Sequence, residues 1–477
     1  MNGSVPFGSS LPFRLTVAAA ALVLSVICWH ALCLMPLVQW NPARLASSFA
    51  LSRGLPIYAL RDSGAHLGWF YGPVFPLWHL PATFFANPTH ALLVAGISNI
   101  LTWLLPIAAV LRAAGLSRSA TWSGTIVGGA LMAGHSISNY SFYFVHVDAV
   151  CLALQLTACL SLLRFVRTGS RGALHLCALA LAGAFWTKVI AISLLPALVC
   201  WLWHERRRDA IRPLLFWSLV HGAAISAAVL AAFGPEEVLF NTWLVHARNP
   251  WRGGLLLLAQ ELGRLLAASA VWLPAVAFVW WTRRNATAPL LNDPSRSLLR
   301  LLLWSAGWLA PLGLVAVLKA GGGLNSVHSM HYLFLAGLVV LCLAFNLPAA
   351  RRAVSAGLFL LAVVLPACAG TRLILQSGMR WVPDRSQEEL LAAARRNPGR
   401  CYFPWSPMIT IIAERRISPL DDALYCLWLS KLEPPADRIR AAAPPDPIIM
   451  YLEPAQSRFA LRYFKSDPPA SHAPPAP

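Results

Sequence analysis

The chain has 477 residues, of which 57% are hydrophobic and only 12% charged, with a formal charge of +19 and a mean hydropathy of +0.60. Soluble proteins carry about 25% charged residues, so a soluble multidomain enzyme, a disordered chain and a disulfide-stapled secreted domain are excluded. What remains is an all-α polytopic membrane protein, because the apolar stretches are continuous and span-length rather than alternating as in a barrel.

In chain order, hydropathy places eleven spans near 13–35, 89–111, 119–137, 147–163, 172–187, 188–203, 213–233, 255–281, 301–320, 329–347 and 353–371. The first is expected to be retained rather than cleaved, since its apolar run is long and no clear small-x-small site follows. Residues 172–203 lie between two basic loops and are expected to form a hairpin of two short helices. With the N-terminus in the cytoplasm, sixteen arginines fall in inner segments. These are Arg14, Arg112, Arg118, Arg164, Arg167, Arg171, Arg206, Arg207, Arg208, Arg212, Arg283, Arg284, Arg296, Arg300, Arg351 and Arg352. Five fall in outer loops: Arg44, Arg53, Arg61, Arg248 and Arg252. The basic excess thus reads as loop charge that sets orientation, not as a nucleic-acid patch.

Two outer loops are long and aromatic-rich, Pro36 to about Pro88 and Gly234 to Gly254, and suit helices lying at the membrane interface. The membrane part is expected over 1–371. A small α/β domain on the outer face is expected over 372–466, and a disordered Pro-rich tail over 467–477. Ten cysteines are present, eight of them in or beside spans; Cys401 and Cys426 in the tail either pair or stay free, which spacing does not decide. No CxxC or Cys/His zinc spacing occurs, so no metal ligand set is read.

Carboxylates are scarce. Eleven of the 19 belong to the tail, and Glu205, Asp209 and Asp293 lie in inner loops. Asp62, Asp148, Glu236, Glu237 and Glu261 remain. A carboxylate near the bilayer is costly and therefore a functional candidate. Asp148 heads the fourth span, where it also suits the helix dipole; His146 two residues away favours the functional reading. Asp62 sits beside Arg61 and near His66, as a loop ion pair or as a functional acid. Glu236 and Glu237 suit helix capping, and Glu261 suits a local pair with Arg264. Lys188 in the hairpin, and Asn325, His328 and His331 after the Gly321–Gly323 run, place polar groups at the outer edge. Arg248 and Arg252 suit a phosphate clamp or a surface role. Acids, cations and aromatics on one face suit a substrate with sugar hydroxyls and phosphate.

Four stretches together resemble the GT-C superfamily of polytopic glycosyltransferases, in its bacterial dolichyl-phosphate-mannose-mannosyltransferase-like branch. They are GLPIYALRDSGAHLGWFYGPVFPLWHLPATFF, FVHVDAVCLALQLTACLSLL, GALHLCALALAGAFWTKVIAISLLPAL and KAGGGLNSVHSMHYLFLAGLVVL. The resemblance implies a polyprenyl-phosphate sugar donor, a lipid, glycan or protein acceptor, and an active site facing outward from the bacterial inner membrane. It also implies inverting transfer by a carboxylate base and a small outer C-terminal domain. Such enzymes usually carry an acid just after the first span; here MPLVQWNPARL has none, which leaves Asp148 or Asp62 as base. His66, Tyr71, His146, Lys188, Trp243, Arg248, Asn325 and His331 are the expected substrate-binding residues. No cofactor is implied with certainty, and a divalent cation is compatible with this reading. A transporter or lipid flippase, and a non-catalytic scaffold of the same fold, are the rival functions. The first would gather polar groups at mid-bilayer depth in two repeated halves, and neither feature is visible.

Overall fold

The computed structural model describes residues 11–251, 255–270, 291–344, 348–452 and 458–464, with Trp272, Leu273, Val276, Ala277, Trp280 and Arg284. Arg252, Arg283 and the Pro-rich end expected from 467 lie outside the described residues. The chain is a helical polytopic membrane protein. Among the described residues seven helices are long and apolar enough to span a bilayer. They lie at Arg14–Leu34, Pro88–Ala113, Val147–Thr168, Arg208–Phe233, Asp293–Val317, Leu324–Ala344 and Leu360–Ser377. Shorter helices occupy other expected intervals, at Arg118–Gly134, Arg171–Phe185, Leu194–His204 and Leu255–Ala270.

The chain divides into two compact units, one formed by Met1–Cys33, Gly96–Ala228 and Trp251–Val382, the other by Leu34–Ala95, Val229–Pro250 and Pro383–Pro477.

The first unit holds the apolar helices. Three contain an internal proline: Pro106, Pro311 and Pro366. Proline would break a helix in water, but neighbouring membrane helices can satisfy the freed backbone groups. Close packing relies on small residues, since lipid tails leave little hydrophobic drive between helices. Gly124 and Gly128, one turn apart, face Leu111 and Leu343, and Ile107 and Val339. Gly134, the last residue of its helix, abuts the Leu365–Pro366 backbone. The expected hairpin is present as the helices Arg171–Phe185 and Leu194–His204, joined through a 3-10 turn at Val189–Ser193. Glu261 pairs with Arg264 at 3.1 Å, as the i, i+3 spacing suggests.

The second unit joins the two long loops to the tail. The first loop contributes the helices Trp40–Ser52 and Val74–Trp78, the second Pro235–Leu239, a π turn at Phe240–Leu244 and Val245–Arg248. The tail is mostly helical, at Ser386–Arg396, Pro407–Glu414, Asp421–Leu429 and Ala436–Ala442. Its sheet is one parallel pair of two-residue strands, Cys401–Tyr402 against Ile448–Ile449. Ala43, Phe70, Phe240, Val245, Trp405, Leu420, Ala423 and Leu427 share one core, so residues from all three segments bury each other. The Leu420 N–H donates to the His66 carbonyl at 2.9 Å, and Gly64 lies so close to the Arg438 backbone that a side chain there has no room. Cys401 and Cys426 are both free thiols; the Cys401 thiol donates instead to the Ala393 carbonyl at 3.7 Å.

Gly134→Val should lower the stability of the purified protein by about 1–3 kcal/mol, because the new methyls meet backbone that has no slack. Gly222→Ala, where nothing lies within 4 Å of the new methyl, should leave thermal unfolding in detergent unchanged. Equal melting shifts for the two variants would refute the close-packing account.

Candidate functional site

The first unit gathers three of the expected substrate-binding residues, His146, Lys188 and Asn325, together with His328, around one carboxylate. Asp148 is the second residue of the helix Val147–Thr168 and is 2% exposed. Its Oδ1 accepts from the Lys188 ammonium at 2.7 Å. Its Oδ2 lies 2.7 Å from His328 Nδ1 and 3.1 Å from His146 Nδ1. Lys188 also donates to the Asn325 backbone carbonyl at 3.2 Å, so Asn325 joins the cluster through its main chain. His331 lies one turn beyond His328 and is buried, with neither ring nitrogen hydrogen-bonded among the described residues. Its ring packs 4.2 Å from that of His135.

Local structure explains why these groups meet. His146 caps its helix, with Nδ1 accepting the Asp148 N–H at 3.2 Å. This is the usual capping logic, a side-chain acceptor for an otherwise orphan donor. Upstream, Asn99 fixes the approach: its amide donates to the Ser141 and Phe142 carbonyls at 3.0 and 3.1 Å, and its Oδ1 accepts the His146 N–H at 3.1 Å. The Trp103 indole donates to the same Ser141 carbonyl at 3.0 Å. Lys188 sits where the hairpin's first helix has ended, in extended backbone with φ −152°. Gly183 lets this hairpin lie against Leu154 of the Asp148 helix, where an added methyl would stand 3.3 Å from Leu154 Cδ1.

The other expected residues belong to the second unit. Asp62 is exposed. His66 is buried, its ring 6.3 Å from Phe240. Tyr71 is half-buried, its ring 5.5 Å from Trp69 and 6.1 Å from His246. The Trp243 side chain is 61% exposed, and Arg248 is exposed too. Burial pushes the His66 imidazole down to about 4, against the raising effect of the Arg61 and Ser63 carbonyls. His79, which packs 4.5 Å from Phe75, is pushed by burial to about 3.

Sequence reading noticed His328 but did not assign it a role, and it missed Asn99. Both are polar residues inside otherwise apolar spans, the signal that singled out Asp148.

No family model matches the chain, and no curated protein matches it. Solved structures do. The chain is similar to the crystal structure of ArnT from Cupriavidus metallidurans bound to undecaprenyl phosphate, with 12% identity, a TM-score of 0.54 and 90% of each chain covered. It is similar also to the same protein in the apo state, with 14% identity, a TM-score of 0.51, and 88% of this chain and 91% of that one covered. At such identity the likeness concerns the fold alone, a helical polytopic membrane architecture shared over about nine-tenths of each chain.

Two predictions follow from these surroundings. Lys188→Met strands a buried carboxylate and should cost about 3–5 kcal/mol, whereas adding Asp148→Leu should recover most of that loss. Thermal unfolding of the two variants checks this, and a double variant no more stable than Lys188→Met would refute the pairing. His66 and His79 are held neutral in the folded second unit but take up protons when unfolded below the ordinary value of 6.5. The unfolded state therefore binds more protons, and stability should decline as pH falls from 6.5 toward about 4. His79→Phe should flatten part of that decline in melting curves taken across this range; an unchanged slope would show that His79 does not carry it.

Proposed function

We propose that the chain is a membrane glycosyltransferase that moves a sugar from a polyprenyl-phosphate donor to a cell-envelope acceptor on the outer face of the bacterial inner membrane. The observation that carries this reading is a lysine ammonium held by a buried carboxylate in a fold shared with a protein solved with undecaprenyl phosphate. A fixed ammonium stabilises a phosphate as charge accumulates on it in the transition state.

In the proposed step the acceptor hydroxyl oxygen attacks the anomeric carbon. The bond from that carbon to the phosphate oxygen breaks, and polyprenyl phosphate leaves. The hydroxyl proton passes to a carboxylate, and the anomeric centre inverts. The two candidate carboxylates differ in their surroundings. Asp148 is occupied on both oxygens, which suits it to hold Lys188 for the donor phosphate. Asp62 faces water, which leaves it able to accept a proton and makes it the proposed base. His331 and Arg248 are assigned to the phosphate, Tyr71 and Trp243 to the sugar, and His66, His146 and Asn325 to substrate positioning.

The test is transfer in proteoliposomes from radiolabelled polyprenyl-phosphate sugars to cell-envelope lipids. Asp62→Asn should reduce the rate by about 10²–10⁴-fold with donor binding retained, whereas Lys188→Met should weaken donor binding. Asp62→Asn at full rate would remove Asp62 as base. Wild type that binds the donor lipid but transfers from none would favour the scaffold function.

A further inference from the structure

We infer that His146, Asp148 and His328 form a binding site for a divalent transition-metal ion such as Zn²⁺. This inference rests on the geometry of the cluster and does not depend on the transferase reading.

The three side chains each offer one ligand atom: His146 Nδ1, an Asp148 carboxylate oxygen and His328 Nδ1. All three atoms lie within 4.8 Å of one another. Two imidazole nitrogens and a carboxylate oxygen form a ligand set suited to zinc and its neighbours, and not to calcium or magnesium. All three residues are buried, so the set is already desolvated and held in place.

Hydrogen-bond chemistry at the cluster points to a cation independently of ligand type. His328 presents Nε2 to the Ile137 carbonyl at 2.5 Å and Nδ1 to Asp148 Oδ2 at 2.7 Å. Both partners are oxygens that only accept. A neutral imidazole has a single N–H and can satisfy one of them. With a metal ion on Nδ1, the ring keeps its proton on Nε2 for Ile137, and Nδ1 and the carboxylate share the ion. That is the usual arrangement of a metal-ligating histidine, whose second nitrogen donates to a backbone carbonyl. His146 poses the same problem. Its Nδ1 has one lone pair, which accepts the Asp148 N–H at 3.2 Å, and it also lies 3.1 Å from Asp148 Oδ2, an oxygen that only accepts. An ion bound at Nδ1 takes over that lone pair from the capping hydrogen bond and separates the nitrogen from the carboxylate oxygen.

Lys188 does not block the site. It holds Oδ1, and the histidines converge on Oδ2. Its positive charge does stand close to the proposed ion, however, and so weakens binding. Removing it should tighten metal binding, an effect that a purely structural hydrogen-bond cluster has no reason to show. His331, one turn after His328 and without a hydrogen bond on either ring nitrogen among the described residues, leaves a polar group available on the same side of that helix.

The experiment uses the full chain in detergent or nanodiscs, stripped with chelator, re-equilibrated with Zn²⁺ and desalted. Bound metal is measured by elemental analysis, and the melting temperature is recorded with and without zinc. Wild type should retain about one ion per chain and melt higher with zinc. His328→Gln and His146→Gln should each lose the bound ion and the zinc-dependent shift, and Lys188→Met should gain a larger shift than wild type. Should one histidine variant fail to fold, the other still decides. Zinc retention unchanged in either folded histidine variant overturns the proposal, as does wild type that retains no zinc.

Discussion

A carboxylate taken out of water must be supplied with positive charge and hydrogen-bond donors, and the first unit is organised around meeting that demand at Asp148. The partners come from far along the chain: Lys188 from the break in a hairpin, His328 from the head of a late helix. Each contact joins a different segment to the helix that Asp148 heads. Asn99 and Trp103 then hold the segment leading into that helix. Apolar packing between membrane helices is weakly directional, because lipid competes for the same surfaces. A buried ion pair is directional, and separating it is expensive. The charged cluster therefore supplies register where hydrophobicity cannot.

The second unit solves a different problem. Its segments are too polar and too interrupted by proline and glycine to span a bilayer, and they bury their aromatics in one another. Trp40 meets Trp405 edge-on at 5.0 Å, and Phe70, Phe240 and Leu420 share a core. Polar residues there serve the backbone: Gln387 donates to the Pro36 carbonyl at 2.8 Å, and Asn241 to those of Ala59 and Glu237, each at 2.8 Å. This is packing typical of a water-soluble domain, built from loops between membrane spans.

Much of this was legible from the sequence, for definite reasons. Span-length apolar runs marked the helices, and the basic loops at 164–171 and 206–212 bounded the hairpin and so exposed Lys188 as out of place between its arms. Asp148 stood out because few acids lie near the bilayer. What stayed hidden was pairing across distance. Asp148 and His328 are 180 residues apart, and no local pattern joins them; metal-ligand spacing rules look within short motifs and so pass over such a set. The tail from Arg400 to Trp428 reads as a mixed domain because its β-branched and aromatic residues look strand-like. Packing overrode that preference and left a two-residue strand pair. Cys401 and Cys426 stayed free because the fold took each sulfur into a separate environment.

The three-part make-up of the second unit bears on how the chain is made. Its first segment ends at Ala95, and its last begins at Pro383. At ordinary synthesis rates the gap between them takes on the order of tens of seconds to translate. Throughout that interval Ala43 and Phe70 have emerged, but Trp405, Leu420 and Leu427 do not yet exist. The early loop must wait with its apolar face uncovered, beside a membrane that can absorb it. Its short, proline-interrupted helices suit such a wait, because none is stable enough alone to commit to a wrong partner. The core of the second unit is therefore complete only once the segment from Pro383 onward is present, and the tail closes a structure whose first part is Leu34–Ala95.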